Sequence, residues 1–350
     1  MNGEASPPVH DSPPDTRRHV RRQTNWVVWV FLALLIGSAF VNLVLLAALL
    51  FGLSAAPPHR EALVDGSPSA REKILLIPVH GLLIQEAPGL WGEADAVSST
   101  LRALDLAEGD AAVKAVLLSI DSPGGGISDC DRIHHRIAAF RKARPGVPIL
   151  AAMGDMATSG GYYIAAPTDW IVAQRSTVTG SIGVIMQLAN VERLAEMLGV
   201  RMETVKSAEH KDAGSPFRSL TAEERKRFQE MIDGMYEQFL QVVLDGRKAA
   251  GLTREELLPL ADGGVMTADK ALKAKLVDAV GFLDDAWAEA RKRAKAPDAK
   301  VVRYERPAGL LDLLRVQAQP PEPGVAALGR LLHRLADGSA RMMYLWAPGF

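Results

Sequence analysis

At 350 residues, with 48% hydrophobic and 23% charged side chains, the chain is globular and long enough for one large domain or two ordinary ones. A net charge of −1 offers no clustered basic face, so no nucleic-acid partner is expected. One cysteine, Cys130, excludes an internal disulfide framework and a cysteine-rich metal site; it reads as a small core residue on a helix.

Residues 1–25 are polar and rich in proline and arginine, the composition of a disordered tail. From Trp26 to Leu53 no charge occurs and Asn42 is the only strongly polar side chain. About 20 apolar residues cross a bilayer, so this run predicts a single transmembrane helix. Trp26 and Trp29 suit the headgroup boundary. The run exceeds the hydrophobic core of a typical signal peptide, which favours a retained anchor, although Ser54-Ala55-Ala56 leaves cleavage open. Arg17, Arg18, Arg21 and Arg22 precede the span, while Arg60 is the only basic residue in the ten that follow. The positive-inside rule then places the N-terminus in the cytoplasm and the rest outside an inner (plasma) membrane, in the periplasm or its equivalent.

A linker is expected over 54–72, where Pro57, Pro58, Gly66 and Pro68 break any helix. The apolar runs 74–79, 115–120 and 148–153 predict buried strands, and 170–173 and 202–205 two more. Residues 94–106 can form a helix, and Ile127, Cys130, Ile133, Ile137 and Phe140 mark the buried face of another. Thr221 and Glu224 form a capping box that opens a long helix with an apolar stripe from Phe228 to Val243, suited to core or subunit contact. Helices are also expected over 269–275 and 284–295. Strands alternating with helices define an α/β domain, here 73–300, followed by a C-terminal extension over 301–350.

Gly124-Gly125-Gly126 ends a strand and precedes a helix, but neither the dinucleotide fingerprint nor the P-loop spacing is met. The glycines suit either an oxyanion hole or a plain strand-to-helix turn. Residues 154–158 read as a loop leading to Ser159, which is either a helix N-cap or a nucleophile. Gly160 and Gly161 directly after it would permit close substrate approach. Candidate bases are His80, His134, His135, His210 and Lys211. A lysine base must drop from a reference pKa of about 10.4 by roughly 3 units, which burial away from carboxylates can achieve. Asp212 beside Lys211 would oppose this if the two paired. Ser181, in Thr179-Gly180-Ser181-Ile182-Gly183, reads as a turn serine or as a partner for the lysine.

Four blocks together resemble the signal peptide peptidase A (SppA) family of serine proteases, relatives of the ClpP/crotonase-like fold of repeated ββα units. They are DSPGGG at 121–126, MGDMATSGGYYIAAPTD at 153–169, TGSIGV at 179–184 and VKSAEHKDAGSPFRSLTAEER at 205–225. The likeness covers roughly 73–290. It implies Ser159 as nucleophile, Lys211 as general base, Ser181 orienting the lysine, and an oxyanion hole of backbone N–H groups from Gly125 or Gly126 and from Gly160. It further implies peptide substrates, cleaved signal peptides among them, homo-oligomers whose dyad can be completed between subunits, and no cofactor or metal. Two alternatives are a crotonase-type acyl-coenzyme A enzyme and a catalytically inactive membrane scaffold. The apolar tail, 342–350, is expected to lie in the substrate groove, to pack on a neighbouring subunit, or to form a helix on its own domain.

Overall fold

The computed structural model describes residues 17–54, 59–85, 95–305 and 342–346. The expected tail over 1–16, the Pro57-Pro58 part of the linker and most of the C-terminal extension lie outside the described residues. Two compact units are present, Met1–Pro58 and His59–Phe350.

The first unit holds helix α1, Arg17–Ser54. Its stretch Trp26–Ala47 is 22 residues long, has a mean hydropathy of 2.6 and is exposed throughout, as a membrane-spanning helix would be outside its bilayer. The helix starts earlier than expected, because Arg17–Asn25, read as disordered, continues it; arginine and glutamine are good helix formers once a stable span is there to propagate from.

In the second unit, β1 (Arg60–Asp65), β2 (Lys73–His80), α2 (Ala96–Gly109), β3 (Val113–Ser122), β4 (Gly124–Gly126) and α3 (Ile127–Ala143) come first. Then follow β5 (Ile149–Thr158), α4 (Gly160–Ala165), β6 (Trp170–Ala173), β7 (Val178–Gly180), β8 (Ile185–Met186) and α5 (Glu192–Met197). The remainder is α6 (Ala222–Gly246), α7 (Arg254–Leu257), β9 (Val265–Thr267), α8 (Ala268–Lys273), β10 (Ala279–Val280), α9 (Leu283–Arg293), β11 (Lys300–Glu305) and β12 (Met342–Leu345).

The main sheet runs β1-β11-β2-β3-β5-β6-β10, parallel from β11 to β10, with β7 pairing β5 and β9. Its central strands read as continuous apolar runs because both faces are covered. Leu75, Ile77, Val116, Leu118 and Ile120 pack in the core with α2, α3, α4 and α6, while Ile74, Leu76, Leu117 and Leu150 pack against Ala286 and Ala290 of α9. The capping box Thr221–Glu224 opens α6 as expected. Only the second half of its stripe is buried, at Phe239, Val242 and Val243.

Several boundaries differ from the sequence reading. The linker contributes β1, which pairs antiparallel with β11, so 301–305 belongs to the sheet and not to an extension. Residues 202–205 form no strand, having no neighbour to pair with. Residues 154–158 continue β5 instead of looping. The ladder with β3 shifts register between Ile120 and Ser122, and Asp121 Oδ1 accepts the Met156 N–H at 3.1 Å to hold that bulge. Beyond it, Met156–Thr158 turns to a new partner, β7.

Candidate active site

Ser159 stands between the end of β5 and the start of α4, at φ 52 and ψ −115. A non-glycine residue there stores about 1–3 kcal/mol of strain. The turn is fixed from both sides: Ser159 N–H donates to Gly180 O at 2.8 Å and Tyr163 N–H to Ser159 O at 2.8 Å. The hydroxyl makes no capping bond, which removes the N-cap reading. The residue is 1% exposed, and its Oγ has no hydrogen-bond partner among the described residues. A buried hydroxyl left unpaired costs about 1–3 kcal/mol; the Thr158 hydroxyl beside it is likewise without a partner among the described residues.

The two glycines that follow Ser159 are needed for close approach. A Cβ at Gly160 would lie 2.5 Å from Cys130 Sγ and 3.0 Å from Gly124 Cα. At Gly161 it would lie 2.8 Å from Ser122 O. The β4 turn therefore packs backbone to backbone on the first turn of α4. Ser122, fully buried, braces that turn by donating to Gly81 O at 2.6 Å and accepting the Gly124 N–H at 3.1 Å. Sequence reasoning passed over Ser122 and Asp121, although both stand in the quoted 121–126 block. Cys130 is the expected core residue, and burial pushes its thiol far up from the usual range.

Of the three glycine N–H groups in β4, two are already used. Gly124 donates to Ser122 and Gly126 donates to Leu83 O at 2.9 Å. Gly126 is thereby corrected as a donor, and the Gly125 N–H is left for whatever strand lies against β4. β12 lies antiparallel between β4 and β8, with Tyr344 opposite Gly125 and Met343 opposite Ile185. Trp346 N–H donates to Pro123 O at 3.0 Å. Antiparallel ladders alternate, so two residues on, Tyr344 and Gly125 form the next bonded pair and the Gly125 N–H faces into the groove. The tail residues 342–346 thus occupy the groove as a strand, and not as a helix.

Ser181 follows β7 beside this turn, at φ 51, 5% exposed, its N–H donating to Gly264 O at 2.6 Å. It lines a cavity of about 410 Å³ with Ile185, Asp233, Tyr236, Asp262 and Leu345. Lys211 is not in this cluster. It sits in a 3-10 turn, Glu209–Asp212, exposed, its amine free of ion pairs and hydrogen bonds among the described residues. Asp212 does not pair with it. That carboxylate takes Lys206 at 2.7 Å and Arg218 at 3.0 Å, and hydrogen bonds from Arg218 and then Lys206 hold it far below the usual carboxylate range. Arg218 also grips Glu224 of the capping box. His134 is half-buried with its ring edge-on to Tyr163 at 5.5 Å, and burial pushes its pKa down; His80 and His135 are exposed, and His210 faces Glu223 at 3.6 Å. None reaches Ser159 Oγ.

The profile of peptidase family S49 matches residues 141–297, a span holding Ser159, Ser181 and Lys211. The molecule is a serine peptidase of ClpP-like α/β fold with one apolar N-terminal helix. A putative signal peptide peptidase SppA from Enterococcus faecium is 36% identical over 252 residues, 70% of each chain. A putative protease from Synechocystis is 36% identical over 222 residues, covering 63% of this chain and 74% of the relative. Protease 4 of Salmonella typhi is 34% identical over 270 residues, 73% of this chain but only 42% of that longer protein. The chain belongs to the signal peptide peptidase A family.

Proposed function

We propose that the protein is a membrane-anchored endopeptidase with Ser159 as nucleophile and Lys211 as general base, degrading cleaved signal peptides and other unfolded or membrane-derived peptides outside the cytoplasm. One observation carries the reading: a buried, unpartnered hydroxyl held on a strained turn against glycine backbone. The neutral Lys211 amine takes the Ser159 proton as Oγ attacks the scissile carbonyl. The Gly125 and Gly160 N–H groups receive the oxyanion, the protonated lysine hands its proton to the leaving amine, and water then hydrolyses the ester. Ser181 orients the amine. The names of the relatives support peptide and signal-peptide substrates. The apolar helix and the arginines before it support the anchor, with its N-terminus cytoplasmic.

The base comes from a neighbouring copy in this reading. Within one chain the Lys211 amine is exposed and makes no hydrogen bond or ion pair among the described residues, and Ser159 Oγ has no partner there. The same region exposes Leu194, Met197, Leu198, Val200, Met202 and Val205, Met197 at 84% and Val205 at 101%. A cluster of exposed apolar side chains supports homo-oligomer contact there.

The test is fluorophosphonate labelling together with peptide cleavage, for wild type, Ser159→Ala and Lys211→Ala. Wild type should label and cleave; Ser159→Ala should do neither. A Ser159→Ala protein that still cleaves would overturn the assignment, and an unlabelled, inactive wild type would favour the scaffold.

A further inference from the structure

A lysine that must be uncharged to work has a carboxylate as its next residue. Asp212 follows Lys211 inside the same 3-10 turn, Glu209–Asp212, and so accompanies the amine to whichever copy's serine it serves. A carboxylate facing an amine favours the charged ammonium and would disable the base. In the folded chain that carboxylate is turned to other cations.

Both Asp212 oxygens are taken. Arg218 Nη2 donates to Oδ1 at 3.0 Å and Arg218 Nε to Oδ2 at 3.1 Å, the two-pronged geometry of a guanidinium on a carboxylate. Lys206 Nζ donates to Oδ1 at 2.7 Å and to Glu209 O at 2.8 Å. Arg218 also donates to the Asp212 backbone carbonyl at 3.0 Å, which fixes the turn that bears the side chain. The guanidinium is anchored in turn from α6, where Glu224, 3% exposed, accepts from Arg218 Nη1 at 2.9 Å and from the Thr221 N–H at 3.0 Å. The remaining charged groups about the turn are the exposed Glu209 carboxylate and His210, which lies 3.6 Å from Glu223 of α6, itself held by Arg227 at 2.7 Å. Lys206 and Arg218 balance Asp212 and Glu224, so this clamp carries no net charge.

We propose that Arg218, assisted by Lys206, is a positioning residue for the base: it holds the Asp212 carboxylate away from the Lys211 amine, so that the amine reaches Ser159 uncharged. This rests on Lys211 being the general base. Removing the guanidinium alone leaves the clamp with a net negative charge beside the amine. Removing the guanidinium and the carboxylate together restores neutrality. Glu209, His210 and Glu223 are the same in every variant and cannot account for a difference between them.

The test is the pH–rate profile of peptide cleavage by the full-length enzyme, for wild type, Arg218→Gln and the double variant Arg218→Gln with Asp212→Asn. The ascending limb of kcat/KM reports the base of the free enzyme. In Arg218→Gln it should move up by about one pH unit, about a tenfold loss at pH values on the limb. In the double variant it should return to the wild-type position. The second substitution removes still more of the bonds that shape the turn, so a merely loosened turn would not be repaired by it. Lys206→Gln leaves the Arg218 fork in place and should move the limb the same way by less. An unmoved limb in Arg218→Gln, or in Lys206→Gln if the first protein does not fold, would overturn the role of the clamp and leave Lys211 as the base. So would a displaced limb that Asp212→Asn fails to return. Cleavage at the wild-type rate in Lys211→Ala would instead overturn the underlying reading.

Discussion

Thr158 of β5 pairs with Gly180 of β7, so Ser159 and Ser181 leave two parallel strands side by side, at φ 52 and φ 51. Two non-glycine residues in the left-handed region, one residue past a shared ladder, place both hydroxyl-bearing side chains at the same end of the sheet. The strain that this geometry stores is measurable. Ser159→Ala and Ser159→Gly should both be inactive, but the glycine variant should be about 1 kcal/mol more stable by thermal or denaturant unfolding. Equal stabilities would show that the turn is unstrained.

Ser181 is expected to act on the base. A hydroxyl beside the amine would hold it in line with Ser159 Oγ, an interaction made in the transition state. Ser181→Ala should therefore lower kcat with KM little changed, in a protein that still folds. A rise in KM with kcat unchanged would make Ser181 a substrate contact instead.

Completion of the dyad between copies predicts complementation. Ser159→Ala and Lys211→Ala are each expected to be inactive alone. Mixed under conditions that let subunits exchange, random assembly gives about a quarter of sites an intact serine facing an intact lysine. Recovery of peptide cleavage on mixing is the expected result; none would place both groups in one protomer.

The turn carrying Lys211 is clamped by charge. Hydrogen bonds from Arg218, with the Thr221 N–H adding to them, hold the Glu224 carboxyl down at about 2, and Arg218 with Lys206 holds Asp212 lower still. Carboxyls depressed in the folded state stabilise it above their unfolded values near 4 and lose that contribution as pH falls through the folded ones. Amides of residues 208–224 should thus begin faster hydrogen exchange below about pH 4, ahead of the main sheet. Arg218→Ala should show that faster exchange already at neutral pH.

Arg247 is 3% exposed and bonds Asp278 through two contacts at 2.7 and 2.9 Å, while Asp278 also accepts the Ile171 N–H at 2.7 Å. Removing one member leaves a buried charge without its partner. Asp278→Ala should cost about 3–5 kcal/mol in denaturant unfolding, and replacing both residues by leucine should cost less.

The parts legible in the sequence are those set by neighbours in the chain. The α3 stripe from Ile127 to Phe140, the Thr221–Glu224 capping box and the serine followed by two glycines all announce themselves locally. What was not legible depended on partners far along the chain. That 154–158 is strand follows from a bulge pinned by Asp121, and that Gly126 is no free donor follows from Leu83 pairing with the glycine turn. The run 202–205 has strand-forming residues but no neighbouring strand to pair with. The 342–345 segment became a strand because β4 and β8 leave a slot between them. The hydroxyl at 159 could be named from its company, whereas the setting of Lys211 depends on the 3-10 turn Glu209–Asp212 and the Arg218 clamp on Asp212, which no local pattern announces.

Cys130, the sole thiol, lies wholly inside the protein behind Gly160, and burial suppresses its ionisation. A maleimide or nitroxide reagent therefore finds a native chain without background. A cysteine introduced on the exposed face of α5 or α6 can carry a single dye or spin label, and distances between such labels would show whether copies associate and in what arrangement.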